Sequence, residues 1–432
     1  VITTCSDLKI AVLNDIHYMP TFDETLDPRD GWCEESDHGL SQSLTDTPFG
    51  RFGCDTPTKL AHLMTEKLAS IEPDVDIILV SGDFIAHGYA VQKGQEDKFE
   101  ELKEAIHHVF VTVLATNFPN AVILPAIGNN DIKYHYLAPR QDDEAQDYYQ
   151  FLSDMMFRDI PGNKNIDRAQ IDKTFKSSGF FRYDHHPTCT EETCLSIISF
   201  NSLYYAVNRG ESEEDIMQRQ IDWLDAMLGS AQDHRKFIIF MHIYPGHYQV
   251  FGETYFWDDE STAKFVNVIE KHSDRVTIIL GAHTHFSDIR INLPTQENDS
   301  GELLKEEPIA KFSLLATPSF SLSNYNNPGF TQFNIKNNSL QDIRMTFMNA
   351  HQFPKSPEQA TFNVFDFNRD LGMKEWTHEN AQIALHKLQR SWLWFFRYLG
   401  HKIGFQGILN FYGWFTHYML GSVGFFTRNV FF

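Results

Sequence analysis

Five short polar motifs follow one another along the chain, each directly after an apolar run. They supply seven candidate metal ligands, namely Asp15, His17, Asp83, Asn129, His242, His283 and His285. Carboxylate and imidazole groups bind zinc, manganese or iron, and a carboxylate can bridge two ions. The set is large enough for two adjacent divalent ions. A paired-metal centre of this composition is suited to the hydrolysis of phosphate esters.

We expect these ligands to form two sets of three around one bridging carboxylate, Asp83. The first set is Asp15, His17 and His285, and the second is Asn129, His242 and His283. Within Asp-x-His and His-x-His the side chains of an extended segment point the same way. Two ions about 3.5–4 Å apart can hold a bridging hydroxide that attacks phosphorus.

The leaving group of such a reaction needs a proton, and one histidine is well placed in sequence to supply it. His87 lies four residues after Asp83 and is the first candidate donor. The alternative is that His87 only caps the following helix. A Gly-x-Ser-x-Gly motif and a P-loop are both absent from the sequence, so no covalent intermediate is expected.

Apolar runs predict the strands that position the motifs. They cover residues 9–13, 76–80, 121–127, 236–240 and 275–280. Nearly continuous apolar runs are typical of strands buried on both faces of an α/β sheet. Helical periodicity falls between them, at 58–71, 98–114 and 214–228. Because functional crevices lie beyond the carboxyl ends of such strands, ligands far apart in sequence can converge there.

Length and charge limit the classes of protein and partner. A chain of 432 residues favours a large catalytic domain, here residues 1–350, with a helical C-terminal region at 351–432. The net charge of −22 weighs against nucleic-acid partners. The sequence does not fix the oligomeric state.

The last 41 residues, 392–432, are unusually aromatic. Residues 403–427 contain no Asp, Glu, Lys or Arg and are long enough to cross a membrane. Polar residues and glycines interrupt this stretch, however, and the basic residues before it would lie on the lumenal side. Two interpretations remain open: contact with a membrane, or an aromatic helical pair packed on protein.

Cysteines and glycosylation motifs favour the secretory pathway. Cys33 and Cys54 flank one polar loop and Cys189 and Cys194 close another, without CxxC spacing, which favours disulfides over a zinc site. Five reduced thiols in a cytosolic protein are the alternative, and Cys5 is left over. The Asn-x-Ser motifs begin at Asn298 and Asn337. We expect an extracellular, lysosomal, vacuolar or membrane-attached lumenal protein.

The motif order resembles the calcineurin-like metallophosphoesterases over residues 9–288. Their pattern is Asp-x-His, Gly-Asp, Gly-Asn-His-Asp/Glu, His and Gly-His-x-His. Within them the chain is similar to the acid sphingomyelinase-like phosphodiesterases, through residues that include Cys54, Asp55, His87, Asn201, Tyr244 and Asp288. The resemblance implies a four-layer α/β sandwich of two mixed sheets flanked by helices, two zinc ions and a secreted or lysosomal glycoprotein. It also implies substrates that range from sphingomyelin to nucleotide phosphodiesters.

One departure from this pattern bears on the reaction. Asn130 stands where the family has a histidine that contacts the leaving group, so the acid role would pass to His87, His135 or a water. The Gly-Asn-Asn-Asp form is similar to endopolyphosphatases, which makes polyphosphate the alternative substrate to a lipid head-group or nucleotide phosphodiester. A further alternative is a non-catalytic protein on a phosphoesterase scaffold, which the complete ligand set opposes.

Overall fold

Two mixed β-sheets form the centre of the molecule in a computed structural model of the chain. The structure describes residues 7–26, 33–34, 46–89, 97–139, 143–185, 194–209, 213–230, 235–248, 254–293, 308–336, 338–391, 393–394, 397–398 and 400. Fifteen strands and eight α-helices lie within these ranges. All structural statements below concern these residues.

The strands and helices alternate along the first two thirds of the chain. The strands are β1 (Leu8–Leu13), β2 (Ile77–Val80), β3 (Val122–Pro125), β4 (Phe181–Asp184), β5 (Cys194–Ser199), β6 (Arg235–Phe240), β7 (His247–Tyr248), β8 (Thr254–Tyr255), β9 (Val276–Gly281), β10 (Asp288–Asn292), β11 (Phe312–Ala316), β12 (Gly329–Lys336), β13 (Ser339–Met348), β14 (Phe362–Asp366) and β15 (Glu375–Trp376). The helices are α1 (Thr58–Ile71), α2 (Asp97–His107), α3 (Ala115–Asn117), α4 (Asp143–Asp154), α5 (Arg168–Ser178), α6 (Glu214–Gly229), α7 (Asp259–Lys271) and α8 (His378–Arg390). Between α2 and α3 the backbone is π-helical over His108–Leu114.

Both large sheets are mixed: the first has parallel strands at one edge and antiparallel strands on the other side, and the second has parallel strands between two antiparallel edge strands. The order in the first sheet is β14-β13-β12-β1-β2-β3, with β15 beside β13, and in the second it is β10-β11-β9-β6-β5-β4. Strands β1 to β3 are parallel, as are β5, β6, β9 and β11. Two mixed sheets flanked by helices confirm the α/β sandwich expected from the sequence.

The two sheets contact each other through hydrogen bonds as well as apolar side chains. Ser199 Oγ donates to the carbonyl oxygen of Pro125 at 2.8 Å, which links β5 to β3. Asn14 Nδ2 donates to the carbonyl oxygen of Gly281 at 3.3 Å, which links the ends of β1 and β9. Every residue of β2 and β5 is buried, as expected for strands covered on both faces. The strand ends of both sheets therefore meet in one region.

The stretch 351–390 differs in part from the helical C-terminal region that the sequence predicts. Helix α8 is present, but β14 and β15 precede it and join the first sheet through β13. Strand β14 buries Phe365 and leaves its other side chains more exposed, so its apolar signal is weak. A division of the chain at residue 350 stays a prediction.

Several sequence predictions concern residues outside the described ranges, namely Cys5, Cys189, Asn298, Asn337 and 403–427. Cys33 and Cys54 form a disulfide, the pairing expected from the sequence. Cys194 is also disulfide-bonded, to a cysteine outside the described ranges. Within those ranges no helix is both long enough and apolar enough to cross a membrane.

Candidate metal centre

The seven predicted metal ligands converge where strands of the two sheets end. Asp15 and His17 follow β1, Asp83 follows β2, Asn129 follows β3, His242 follows β6, and His283 and His285 follow β9. Two groups of potential ligand atoms share one carboxylate: Asp15, His17 and Asp83 form one, and Asp83, His242 and His283 form the other. Within each group the ligand atoms all lie within 4.8 Å of one another.

Asp83 lies between the two groups. One of its oxygens, Oδ2, is 3.4 Å from His17 Nε2 and 3.2 Å from His242 Nε2. Asn130 holds this carboxylate in place, because its backbone N–H donates to Oδ1 and its side-chain amide donates to Oδ2, both at 2.8 Å. A carboxylate oxygen that faces both groups is in the position that a bridging ligand needs.

The other predicted ligands lie on the two sides of Asp83. Asp15 Oδ1 lies 3.8 Å from His17 Nε2 and 3.7 Å from His285 Nε2. On the other side, Asn129 Oδ1 lies 2.9 Å from His242 Nε2. The structure thus places Asp15 near His17 and His285, and Asn129 near His242.

The backbone at these ligands differs from the extended conformation expected for Asp-x-His and His-x-His. Five of the seven have left-handed backbone angles: φ is 43° at Asp15, 44° at His17, 51° at Asp83, 72° at His283 and 63° at His285. The side chains therefore converge through tight turns after the strands, and not through strand alternation. Non-glycine residues in this region carry strain, which tends to concentrate at functional sites.

Two glycines let the Asp83 and Asn129 loops touch. A Cβ atom on Gly128 would lie 2.1 Å from the backbone nitrogen of Asp83 and 2.3 Å from its Oδ1. A Cβ atom on Gly82 would lie 2.7 Å from the backbone nitrogen of Gly128. The Gly-Asp and Gly-Asn motifs thus need glycine because two backbones meet at the centre.

Hydrogen bonds from outside the cluster fix the orientation of two imidazoles. His242 Nδ1 donates to the carbonyl oxygen of Ser81 at 2.9 Å, and His285 Nδ1 lies 3.2 Å from Ser323 Oγ. Both contacts leave Nε2 facing the cluster, as is usual for metal-binding histidines. No sequence pattern predicts these roles for Ser81 and Ser323, because His242 and His285 are far from them in sequence.

The state of His17 shows that these side chains fit cations. Both ring nitrogens of His17 are buried and make no hydrogen bond to any described residue. Buried polar atoms are rarely left unpaired, because each one costs free energy. Burial lowers the pKa of His17 to about 4 and that of His283 to about 3, so both rings are neutral at pH 7 and can donate lone pairs. The residues fit divalent cations.

The pKa values of Asp15 and His242 show that cations would compete with protons at this cluster. Burial raises the pKa of Asp15 to about 7. Burial alone would lower the pKa of His242, but the charge of Asp83 beside it raises that pKa to about 9. Without cations, the cluster therefore holds protons at neutral pH that bound metal would displace.

His87, the predicted proton donor, lies at the edge of the cluster on the His17 side. Its ring stacks on that of His17 with centroids 4.1 Å apart, and its side chain is 49% exposed. Its Nδ1 lies 3.0 Å from Asp55 Oδ2, and Ser321 donates to the other Asp55 oxygen at 2.9 Å. This role of Asp55 was not predicted from the sequence, although Asp55 directly follows Cys54 of the disulfide.

Asn130 and His135, the other predicted catalytic residues, contact ligands. The Asn130 amide is occupied by Asp83, as described above. His135 Nε2 accepts a hydrogen bond from Asn129 Nδ2 at 2.9 Å, which leaves Asn129 Oδ1 directed at His242. Both residues therefore position ligands in this structure.

A cavity of about 260 Å³ adjoins the His283 side of the cluster. Aromatic side chains line much of it, including those of Tyr136, Tyr255 and Phe256. Asn208 and Asn324 add two carboxamides. Among the described residues that line it there is no Lys, Arg, Asp or Glu.

The chain matches one family model and is similar to several known proteins. A family model described as calcineurin-like phosphoesterase matches residues 8–287. Sphingomyelinase phosphodiesterase D of Dictyostelium discoideum is 24% identical over 88% of this chain and 80% of its own. Human cyclic GMP-AMP phosphodiesterase SMPDL3A is 22% identical over 65% of this chain, and the match spans 57% of its length. A dimetal phosphatase from Danio rerio has a TM-score of 0.42 and 12% identity, covering 82% of this chain and 98% of that one.

The matched residues 8–287 make up more than half of the chain and include all seven predicted ligands. They also include His87, Asn130 and His135. The chain belongs to the calcineurin-like phosphoesterase family and is a hydrolase that acts on phosphoesters.

Proposed function

We propose that the protein is a binuclear metal-dependent phosphodiesterase that acts on lipid head-group or nucleotide phosphodiesters. The observation that carries this proposal is the position of Asp83 Oδ2, which faces His17 at 3.4 Å and His242 at 3.2 Å. Two relatives named as a sphingomyelinase phosphodiesterase and a cyclic GMP-AMP phosphodiesterase support the diester substrate class.

In this proposal each ion has its own set of ligands. One ion is held by Asp15, His17 and His285, the other by Asn129, His242 and His283, and Asp83 is shared. Imidazole and carboxylate ligands in this number favour zinc, with manganese or iron as alternatives. Two such ions would polarise the phosphoryl oxygens and make water a better nucleophile near neutral pH.

His87 is the proposed donor of the proton that the leaving group needs. Burial lowers the pKa of His87, but its hydrogen bond to Asp55 and the charges of Asp83 and Asp15 raise it above the ordinary histidine value. A raised pKa favours the protonated ring, the form that a general acid requires. Half of the side chain is exposed, so a substrate can approach the ring.

The cavity beside His283 is the proposed binding site for the substituent that remains on phosphorus. It adjoins the cluster at His283, whereas His87 lies beside His17, so the two parts of a diester would bind on different sides. Aromatic walls and two carboxamides suit a planar or weakly polar group. A polyphosphate chain would need cationic side chains, and none lines this cavity among the described residues.

The domain organisation and location are part of the same proposal. In this proposal residues 1–350 are the catalytic domain and 351–432 are a C-terminal region, of which β14 and β15 join the first sheet and α8 follows them. The Cys33–Cys54 disulfide supports a secretory or lumenal location, because disulfides persist in oxidising compartments. Asn298 and Asn337 are the proposed glycosylation sites.

A substrate panel with metal-reconstituted protein tests the function. The panel contains sphingomyelin, cyclic and linear nucleotide diesters, ATP and inorganic polyphosphate, each measured as phosphate-ester cleavage per bound metal pair. We expect the highest kcat/KM on a diester. Faster cleavage of polyphosphate than of every diester would overturn the proposed substrate class and leave the metal centre intact.

A further inference from the structure

A loop that connects the two sheets contacts both a metal ligand and the partner of the proposed proton donor. It spans residues 319–323, between β11 and β12, and lies after residues 8–287, which match the family model. We refer to residues 319–323 as the serine loop. Ser319 and Ser321 are buried, and Ser323 is partly buried. Because a buried hydroxyl is costly without a hydrogen-bond partner, the contacts of these serines indicate what the loop does.

The backbone of the serine loop is fixed to the metal centre at Asp15. The N–H of Ser321 donates to the carbonyl oxygen of Asp15 at 3.2 Å, and Ser319 Oγ donates to the same oxygen at 3.1 Å. On the other side, Asn326 Nδ2 donates to the carbonyl oxygen of Ser321 at 2.8 Å. The Ser321 hydroxyl therefore has a defined position relative to the metal ligands.

Ser321 supports the carboxylate that holds His87. Its Oγ donates to Asp55 Oδ1 at 2.9 Å. The other oxygen, Asp55 Oδ2, accepts from the backbone N–H of His87 at 2.8 Å and lies 3.0 Å from the ring Nδ1 of His87. Asp55 is buried, so water does not readily replace a lost donor. Loss of the Ser321 hydroxyl would therefore loosen the carboxylate that orients the His87 ring.

Ser323 contacts a metal ligand. Its Oγ lies 3.2 Å from His285 Nδ1, while His285 Nε2 lies 3.7 Å from Asp15 Oδ1 within the cluster. An imidazole that binds a cation through Nε2 carries its hydrogen on Nδ1, and the partner of that N–H fixes the plane of the ring. The Ser323 hydroxyl is in the position of this partner.

The two serines also contact each other. The N–H of Ser323 donates to Ser321 Oγ at 3.1 Å, and the two hydroxyl oxygens are 2.9 Å apart. A continuous series of hydrogen bonds therefore links five residues, in the order His285, Ser323, Ser321, Asp55 and His87. His285 follows β9 of the second sheet, whereas His87 lies after β2 of the first. The series joins a ligand from one sheet to the proposed proton donor from the other.

We propose that Ser321 and Ser323 are positioning residues for phosphodiester hydrolysis. Ser323 orients the metal ligand His285, and Ser321 orients the proton donor His87 through Asp55. This inference rests on the roles of His285 and His87 in the proposed function, and it adds residues from outside the family match. A purely structural role predicts a different result, namely lower stability with unchanged kcat and unchanged zinc affinity.

Ser321→Ala in the full-length, metal-loaded protein tests the contact with Asp55. We expect kcat to fall about tenfold on an alkyl diester and less than about twofold on a nitrophenyl diester, whose leaving group needs no proton. The number of bound zinc ions should equal that of the wild type. Equal slowing of both diesters, or no slowing of either, would overturn the role of Ser321.

Ser323→Ala tests the contact with His285. Titration of the metal-free variant should show zinc affinity weakened by about tenfold, because His285 loses its outer partner, and kcat at saturating zinc should largely recover. Ser323→Thr keeps the hydroxyl and should bind zinc like the wild type, since Ser323 is only partly buried. Wild-type affinity in Ser323→Ala, or an equal loss in Ser323→Thr, would contradict the role of Ser323.

Ser313→Ala is the matched control for the loss of a buried serine hydroxyl. Ser313 Oγ contacts His378 Nδ1 and Trp376 Nε1, both at 2.9 Å, near the start of β11, whereas the serine loop follows the end of that strand. We expect a lower melting temperature with wild-type kcat and zinc affinity. If Ser313→Ala has the same kinetic effect as Ser321→Ala, general destabilisation explains both and the proposal is wrong.

His87→Gln, measured on the same two diesters, separates this inference from the proposed function. If His87→Gln slows both diesters equally, the acid assignment is wrong and the role of Ser321 is wrong with it. If His87→Gln is selective for the alkyl diester and Ser321→Ala is not, the proposed function stands and only the positioning role of Ser321 fails.

Discussion

Two buried clusters of charged groups in this protein differ in their hydrogen bonding: in one the polar groups have partners within the chain, and in the other some have none. In the first, the buried carboxylate of Asp370 accepts from Arg369 at 2.7 Å and from the backbone N–H of Asp366 at 2.9 Å, and it pairs with Arg397. In the second, at the strand ends, two carboxylates and four imidazoles face one another. There both nitrogens of His17 lack any hydrogen-bond partner among the described residues.

The difference separates a cluster that stabilises the fold from one that binds a ligand. Burial tends to raise the pKa of Asp370, but its hydrogen bonds to Arg369 and Asp366 and the charge of Arg397 hold that pKa below its ordinary value. At the metal centre, burial raises the pKa of Asp15 to about 7, so the chain does not supply enough positive charge of its own. Divalent cations would supply it, and the same side chains would then serve hydrolysis.

The largest expected effect follows removal of the shared carboxylate. Asp83→Ala should lower kcat/KM for a chromogenic phosphodiester by at least about 1,000-fold, because both ions lose a ligand and transition-state charge goes unstabilised. Steady-state kinetics with added zinc measure this loss. Asp225→Ala removes a partly exposed aspartate and should retain wild-type activity. Comparable activity of the two variants would contradict the bridging role of Asp83.

Replacement of the proposed proton donor should have the next largest effect, with a dependence on the leaving group. His87→Gln should lower kcat by about 100-fold for an alkyl diester and only slightly for a nitrophenyl diester, whose leaving group needs no proton. The exposed His351 serves as control, as His351→Gln. If His87→Gln loses bound metal, or slows both substrates equally, His87 acts as a ligand and not as an acid.

Asn130→Ala tests whether the Asn130 amide only positions Asp83. Loss of its side-chain hydrogen bond at 2.8 Å should weaken metal affinity by between about 10- and 100-fold, the usual effect of removing an outer partner of a ligand. Titration of the metal-free variant with zinc measures the change. Activity at saturating zinc should largely recover. Failure to recover at saturating zinc would instead indicate a direct role at the leaving group.

The smallest effect on activity is expected for a substitution in the Asp370 cluster. Asp370→Asn should leave kcat/KM unchanged but lower the free energy of unfolding by about 2–3 kcal/mol at pH 7, because charged hydrogen bonds to Arg369 and Arg397 are lost. The folded-state pKa of Asp370 is lowered, so this stabilisation is present above the ordinary carboxyl pKa and disappears as the pH falls below it. Urea denaturation of both proteins at neutral and acid pH measures it. A difference that persists at acid pH would contradict the ionic explanation.

Much of the site could be predicted because apolar runs and polar residues alternate so regularly in this chain. The runs at 9–13 and 76–80 became β1 and β2 within one residue at each end. Parallel pairing then brings the residues after these strands to one edge. The order of motifs alone therefore predicted which side chains the structure brings together at the strand ends.

The remaining features depend on contacts that a sequence pattern does not encode. The left-handed turns at Asp15 and His283 arise because loops from two sheets meet, and neither residue type requires that conformation. Asp55 forms a hydrogen bond with His87, which is 32 residues away in sequence, and Ser321 donates a hydrogen bond to Asp55, which is 266 residues away. Such pairings become visible only when the chain is folded. Strand β14 was not predicted because Phe365 is its only fully buried residue, so the strand lacks an apolar run.

The metal content of the purified full-length protein tests the central claim most directly. Protein prepared without chelators is analysed by inductively coupled plasma mass spectrometry and compared with Asp83→Ala and Asp370→Asn. We predict about two divalent ions per chain for the wild type and Asp370→Asn, and a clear loss for Asp83→Ala. Fewer than one ion per wild-type chain after reconstitution with zinc, manganese or iron would contradict the binuclear centre.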